Sequence, residues 1–76
     1  MPNEAYTKLR KLLIETRKRA ELTQAELASR LKRPQSFVSK YERGARGLDV
    51  IEFREVAVAL GIDPLRLLKK LYRESM

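Results

Sequence analysis

The run from Thr23 to Gly44, TQAELASRLKRPQSFVSKYERG, leaves little choice of local structure. Thr23, followed three residues later by Glu26, forms a capping box in which each side chain satisfies the other's free backbone N–H. Leu22 before the cap and Leu27 at the fourth helical position are placed to close on each other as a hydrophobic staple. Leu27, Ala28 and Leu31 recur at helical spacing and give that helix a buried face. A second helix follows Lys32-Arg33-Pro34, because proline is tolerated at a helix start, where its missing N–H would be unpaired anyway. Val38 and Tyr41 point inward, and Gly44 ends the helix in a left-handed conformation that glycine adopts at little cost. Two short helices, at about Gln24 to Leu31 and Gln35 to Arg43, are thus predicted to meet across a tight turn.

The flanking sequence predicts three more helices. In the first, at about Tyr6 to Ala20, Leu9, Leu13, Thr16 and Ala20 fall on one face with Leu12 beside them, and Lys8, Lys11, Glu15 and Lys18 lie opposite. The fourth, at about Val50 to Leu60, opens on a second capping box, Asp49 with Glu52. Leu48 and Phe53 are its staple, and Phe53, Val56, Ala57 and Leu60 its inner face; Gly61 closes it. The fifth, at about Pro64 to Glu74, has Asp63 as cap, Pro64 as first residue, and Ile62 and Leu67 as staple positions. It carries Leu65, Leu67, Leu68, Leu71 and Tyr72, a wider apolar surface than one inner face requires. No segment alternates with period two, so the chain is expected to be all-α: one compact five-helix domain over residues 1–76.

Charge is unevenly placed. Residues 1–46 hold twelve Lys or Arg against five Asp or Glu, and residues 47–76 hold five against five, so the whole net charge of +7 falls on the part containing the two short helices. A phosphate backbone is the partner that this asymmetry suggests most directly. The chain lacks Cys, His and Trp. That removes disulfides, Cys–His and Ser–His chemistry and the usual zinc ligands. Glu52 and Glu55 form a carboxylate pair, read as lying on an exposed helix with no pocket implied, and no Gly-rich phosphate loop is present. The expectation is no enzyme, no metal and no cofactor. No apolar run resembles a signal peptide or approaches the ~18 residues of a membrane span. A soluble, cytoplasmic protein that does not engage a membrane is expected.

Three blocks at their joint spacing carry a resemblance. They are Leu22-Thr23-Gln24-Ala25-Glu26-Leu27-Ala28, then Ser36 with Val38-Ser39-Lys40-Tyr41-Glu42-Arg43-Gly44, then Ala59-Leu60-Gly61-Ile62. Over roughly Leu9 to Leu68 the chain resembles the Cro/repressor-type helix-turn-helix family, also called XRE-like or lambda-repressor-like. The resemblance implies that helices two and three are the helix-turn-helix and that helix three enters the DNA major groove. It implies base-facing positions at Gln35, Ser36 and Lys40, with Ser39 beside them. Gln can bridge adenine N6 and N7, Lys can donate to guanine O6 and N7, and Ser suits either base type. It implies phosphate contacts from Gln24 at the start of helix two, from Arg43 and Arg46 at and beyond the end of helix three, and from Arg33 in the turn. It implies a partly buried structural ion pair between Arg17 and Glu42. The sequence departs from the family pattern at Lys32, where Gly is common, and at Pro34, where Ser or Thr often caps helix three. Phe37 either packs beneath helix three or touches a thymine methyl; packing is expected.

The resulting expectation is a sequence-specific double-stranded DNA-binding transcriptional regulator of prokaryotic or phage type. It would act as a homodimer on an inverted repeat, with half-sites about one helical turn (~34 Å) apart. Leu67, Leu68, Leu71 and Tyr72 of helix five are the expected dimer or partner surface. The alternative is an antitoxin or bridging module that uses the same surface for a foreign protein.

Overall fold

A computed structural model describes residues Glu4–Ser75, with side chains through Arg73. The described residues form five helices: α1 (Glu4–Arg19), α2 (Gln24–Leu31), α3 (Gln35–Glu42), α4 (Val50–Ala59) and α5 (Pro64–Ser75). The two capping boxes form as expected. Thr23 Oγ1 accepts from the Glu26 N–H at 3.0 Å, and Glu26 Oε1 from the Thr23 N–H at 2.8 Å. Asp49 Oδ1 accepts from the Glu52 N–H at 2.7 Å, and Glu52 Oε1 from the Asp49 N–H at 3.1 Å. At the head of α5, Asp63 Oδ1 accepts from the Leu65 N–H at 2.9 Å. Pro34 precedes α3 with extended backbone and supplies no side-chain cap.

Four helices end alike. After α3, the Ala45 N–H reaches the Lys40 carbonyl and the Gly44 N–H reaches Tyr41, the paired bonds of a Schellman motif. The same pair closes α1 through Glu21 and Leu22, α2 through Lys32 and Arg33, and α4 through Gly61 and Ile62. The pivot residue must be left-handed. Gly44 (φ 81°) and Gly61 (φ 79°) adopt that conformation readily, whereas Glu21 (φ 58°) and Lys32 (φ 57°) do so with a Cβ to accommodate. These stops allow sharp reversals between short helices.

α1 packs chiefly on α5 and α2 on α3; α1 also meets α3, and α4 meets both α2 and α5. The shared core holds Leu12, Leu13, Leu22, Leu27, Ala28, Phe37, Val38, Tyr41, Phe53, Val56, Ala57, Leu60, Leu67 and Leu71. The expected inner faces of α3 and α4 are therefore buried, whereas Leu31 in α2 is only half-buried. In α1, Leu12 and Leu13 are buried and Leu9 and Thr16 half-buried, but Ala20 lies past the end of the helix and is exposed.

Two sequence readings are corrected. Leu67 (1% exposed) and Leu71 (8%) are buried in the chain's own core, one turn apart on the inner side of α5, so neither is available to a partner. Of the four residues expected at a partner surface, Leu68 is half-buried and Tyr72 alone is exposed. Glu52 is buried rather than exposed, because its carboxylate is drawn in by the α4 cap and by arginines described below. Among the described residues no helix is long and apolar enough to cross a membrane.

Candidate nucleic-acid interface

α3 has two opposed faces. Phe37, Val38, Tyr41 and Glu42 are buried, which turns Gln35, Ser36, Lys40 and Arg43 outward, with Ser39 half-buried between them. The spacing i, i+1, i+4, i+5 keeps the four expected base-reading residues, Gln35, Ser36, Ser39 and Lys40, on one stripe. Among the described residues, the side chains of Gln35, Ser36 and Lys40 have no hydrogen-bond or ionic partner in the chain. Ser39 Oγ accepts from Arg43 Nη1 at 3.2 Å, which folds Arg43 back along the helix.

A polar network fixes the pose of α3 from behind. Arg17 Nε donates to Glu42 Oε2 at 2.7 Å and Arg17 Nη2 to Glu42 Oε1 at 3.1 Å, a forked contact between α1 and α3. Arg17 Nη1 also donates to the Leu22 carbonyl at 2.8 Å, which ties in the segment leading to α2. Gln24 Nε2 completes the set by donating to Glu42 Oε1 at 2.9 Å. The side chains of Arg17 and Glu42 are only 12% and 5% exposed. The hydrogen bond to Glu42 is the main cause that raises the Arg17 pKa, ahead of the opposing effect of burial. The resemblance implied the Arg17–Glu42 pair but not its third member. Gln24, which the resemblance assigned to a phosphate, has its side-chain amide nitrogen engaged on Glu42 within the chain.

Arg33 and Arg46 also have partners within the chain. Their guanidinium carbons lie 4.4 and 4.8 Å from the centroid of the Phe37 ring. Arg46 Nη2 is 2.9 Å from Glu52 Oε2, and Arg33 lies 3.5 Å from both Glu52 and Glu55. Phe37 is thus a buried ring under two cations, an arrangement favoured by the negative face of its π-system. Its edge contact with Tyr41 (centroids 5.6 Å apart, planes at 69°) extends the stack into the core. Packing is the role of Phe37, as expected. Glu52 does two jobs. Oε1 caps α4, and Oε2 gathers the arginines. Its pKa is lowered, first by the Asp49 N–H and then by Arg46. Sequence reasoning found only the cap, since nothing in local spacing signals that Arg46 and Arg33 converge on the same carboxylate.

One buried polar atom is unsatisfied: Tyr41 Oη has no hydrogen-bond partner among the described residues. Burial pushes its phenol pKa well above the ordinary value, with Glu42 adding to the shift and Arg17 opposing it.

Comparisons with known proteins agree with this geometry. A family model described as a helix-turn-helix domain matches residues 8–68. An XRE-family like protein from Pseudomonas syringae pv. tomato str. DC3000 is 51% identical, with TM-score 0.93, over 97% of this chain and 90% of that one. The restriction-modification controller protein C.AhdI from Aeromonas hydrophila is 31% identical, with TM-score 0.78, over 86% of this chain and 98% of that one. The clp gene regulator ClgR from C. glutamicum shares the fold at 22% identity and TM-score 0.83, over 100% of this chain and 97% of that one. Among curated proteins no relative matches the sequence. The match over most of the chain, the identity to the Pseudomonas protein and the α2–α3 geometry place it together: the chain belongs to the XRE-like helix-turn-helix family of DNA-binding regulators.

Proposed function

We propose that the protein is a sequence-specific transcriptional regulator that inserts α3 into the major groove of double-stranded DNA as a homodimer on an inverted repeat. The observation that carries this reading is the outward stripe Gln35, Ser36, Ser39 and Lys40, displayed by a helix that Arg17 and Glu42 lock from behind. Gln35 and Lys40 have the donors and acceptors to read base edges, and Ser36 and Ser39 suit either base type. Arg43, Arg33, Arg46 and the main-chain N–H of Gln24 contact phosphates and set the register. A second copy is expected on the outer faces of α4 and α5. There, Val50, Ile51 and Val58 and then Leu65 and Tyr72 are exposed apolar side chains, from 58% to 80% exposed.

The test is selection of bound duplexes from a random pool at low and at physiological salt, with the mass of the complex measured in parallel. An inverted repeat with half-sites ~34 Å apart, retained at the higher salt, is the expected result. Lys40→Ala is expected to cost about 1–3 kcal/mol on the selected site and to relax preference at one base position. Arg43→Ala should weaken binding evenly on all sequences. Equal losses for Lys40→Ala on selected and random DNA would remove Lys40 from the base-reading set. A monomer with no consensus would reassign the α4–α5 face to a foreign protein, as in an antitoxin or bridging module.

A further inference from the structure

Away from the helix-turn-helix, α5 carries a second chemical pattern. Arg66, Lys69, Lys70 and Arg73 stand at i, i+3, i+4 and i+7, one stripe along the helix. Together with Arg19 at the end of α1, and with Thr16, Ile62 and Leu67, they line a groove of about 460 Å³. No acidic side chain lines it. Among the described residues none of the five cations forms an ion pair, whereas Arg17, Arg33 and Arg46 all do. Glu15 and Glu21, which flank Arg19 in sequence, form no ion pair with it, and the Asp63 carboxylate is used on the Leu65 N–H; Glu74 follows Arg73 in sequence.

Part of this arrangement costs the fold, although Arg19 and Arg73 stand in last turns, where the helix dipole favours a cation. Like charges three and four residues apart repel on a helix. Arg66 stands in the first turn of α5, where the helix dipole disfavours a cation and the Asp63 carboxylate is already engaged with the Leu65 N–H at 2.9 Å. The groove's volume falls within the range of small-molecule sites, roughly 300–1,000 Å³. Its chemistry is narrow: two lysine point charges and three arginine forks that match phosphate oxygens, the Thr16 hydroxyl being used on the Leu12 carbonyl at 2.6 Å.

We infer that the α1–α5 groove is a binding site for the phosphate groups of a polyanion, separate from the DNA-reading surface. None of its lining residues belongs to α2 or α3, so both surfaces can be occupied together. A ligand held there joins Arg19 to α5. Arg17, two residues earlier on α1, holds Glu42 of α3. The site does not depend on the DNA reading. Its phosphates belong either to a free phosphorylated small molecule or to a nucleic-acid backbone that wraps past α5.

The experiment is calorimetric titration of inorganic tripolyphosphate into the native chain, Arg66→Ala/Lys70→Ala, and Lys40→Ala/Arg43→Ala, with thermal melts of each to verify folding. At about 150 mM salt, the native chain should bind and its Tm should rise with ligand concentration. The groove pair should lose at least about tenfold in affinity and the α3 pair no more than about twofold. No binding at millimolar tripolyphosphate, equal losses in both variants, or the reverse pattern would overturn the site. A second arm titrates a long DNA duplex. If the groove pair weakens duplex binding as much as tripolyphosphate binding, the phosphates are those of DNA; if duplex binding is unchanged, the ligand is a free phosphorylated molecule.

Discussion

Replacing Arg17 by Met tests the network behind the recognition helix. Met keeps much of the aliphatic volume and removes the fork that meets Glu42 at 2.7 and 3.1 Å and the bond to the Leu22 carbonyl. Glu42, 5% exposed, is then a buried carboxylate with only Gln24 as donor. Breaking a buried pair from one side costs about 3–5 kcal/mol. A chain of this length has a total stability of about 4–11 kcal/mol at the usual value per residue. Arg17→Met is therefore expected to lower Tm by at least about 12 °C, at ~4–8 °C per kcal/mol for a domain of this size. The informative comparison is the double variant Arg17→Met/Glu42→Met. It removes both charges, so the desolvation cost disappears along with the attraction, and at least about 2 kcal/mol of the single variant's loss should return. Urea denaturation followed by circular dichroism gives both numbers, with the m-value confirming that the unfolded states are comparable. A double variant as unstable as the single one refutes the reasoning: the stranded charge would then not be what destabilises the chain.

Three further perturbations follow from local geometry. Lys32→Gly relieves a left-handed residue with an exposed side chain; it should add ~0.5–1 kcal/mol in urea denaturation, since the strain removed exceeds the extra entropy of glycine. Tyr41→Phe removes an unsatisfied buried hydroxyl and should be neutral or stabilising by up to about 1 kcal/mol. Because the folded phenol pKa is raised, the stability it contributes is present below the unfolded value of about 10 and is lost as pH rises beyond it, so Tyr41→Phe should also blunt alkaline unfolding. Glu52→Gln keeps an α4 cap acceptor while removing the charge shared by Arg33 and Arg46, and should tighten binding to random DNA with a salt slope steeper by up to about 0.9. The pKa values of Glu52 and Glu26 are lowered in the fold. Their stabilisation is complete above the unfolded glutamate value of about 4.3 and is lost as pH falls through the folded values, so Glu52→Gln should make acid unfolding shallower.

The capping boxes and the stops at Gly44 and Gly61 were legible because each is a bargain between residues a few positions apart. Glu21 was not, since a left-handed residue other than glycine leaves no mark in composition. The exposure of Gln35, Ser36 and Lys40 followed from the inward direction of Val38 and Tyr41, one turn of helix being enough to decide it. The Arg17–Glu42 pair spans 25 residues and was reachable only through the family resemblance. In α5, periodicity placed Leu65, Leu67, Leu68, Leu71 and Tyr72 correctly on a helix but could not divide them into an inner pair and an outer set. That division depends on where α1 and α4 lie, which no single helix encodes.

Charge shows the same limit in its sharpest form. Residues 47–76 are neutral in sequence, with five cations and five acids. Up to Asp63 they hold Asp49, Glu52, Glu55 and Asp63 against Arg54, and from Pro64 they hold Arg66, Lys69, Lys70 and Arg73 against Glu74. Folding carries Glu52 and Glu55 to Arg33 and Arg46, beside the recognition helix, and leaves the α5 cations lining a groove with Arg19. The half of the chain that looked uniformly basic is therefore partly neutralised near its DNA-reading end, and the half that looked neutral supplies a separate cationic surface. Arg33 and Arg46 divide one buried carboxylate between them, whereas Lys40 and Arg43 on α3 have no carboxylate partner among the described residues. Glu52 in turn holds both arginines over Phe37, so on the proposed reading their guanidinium groups meet phosphates with part of their charge offset and their positions already fixed.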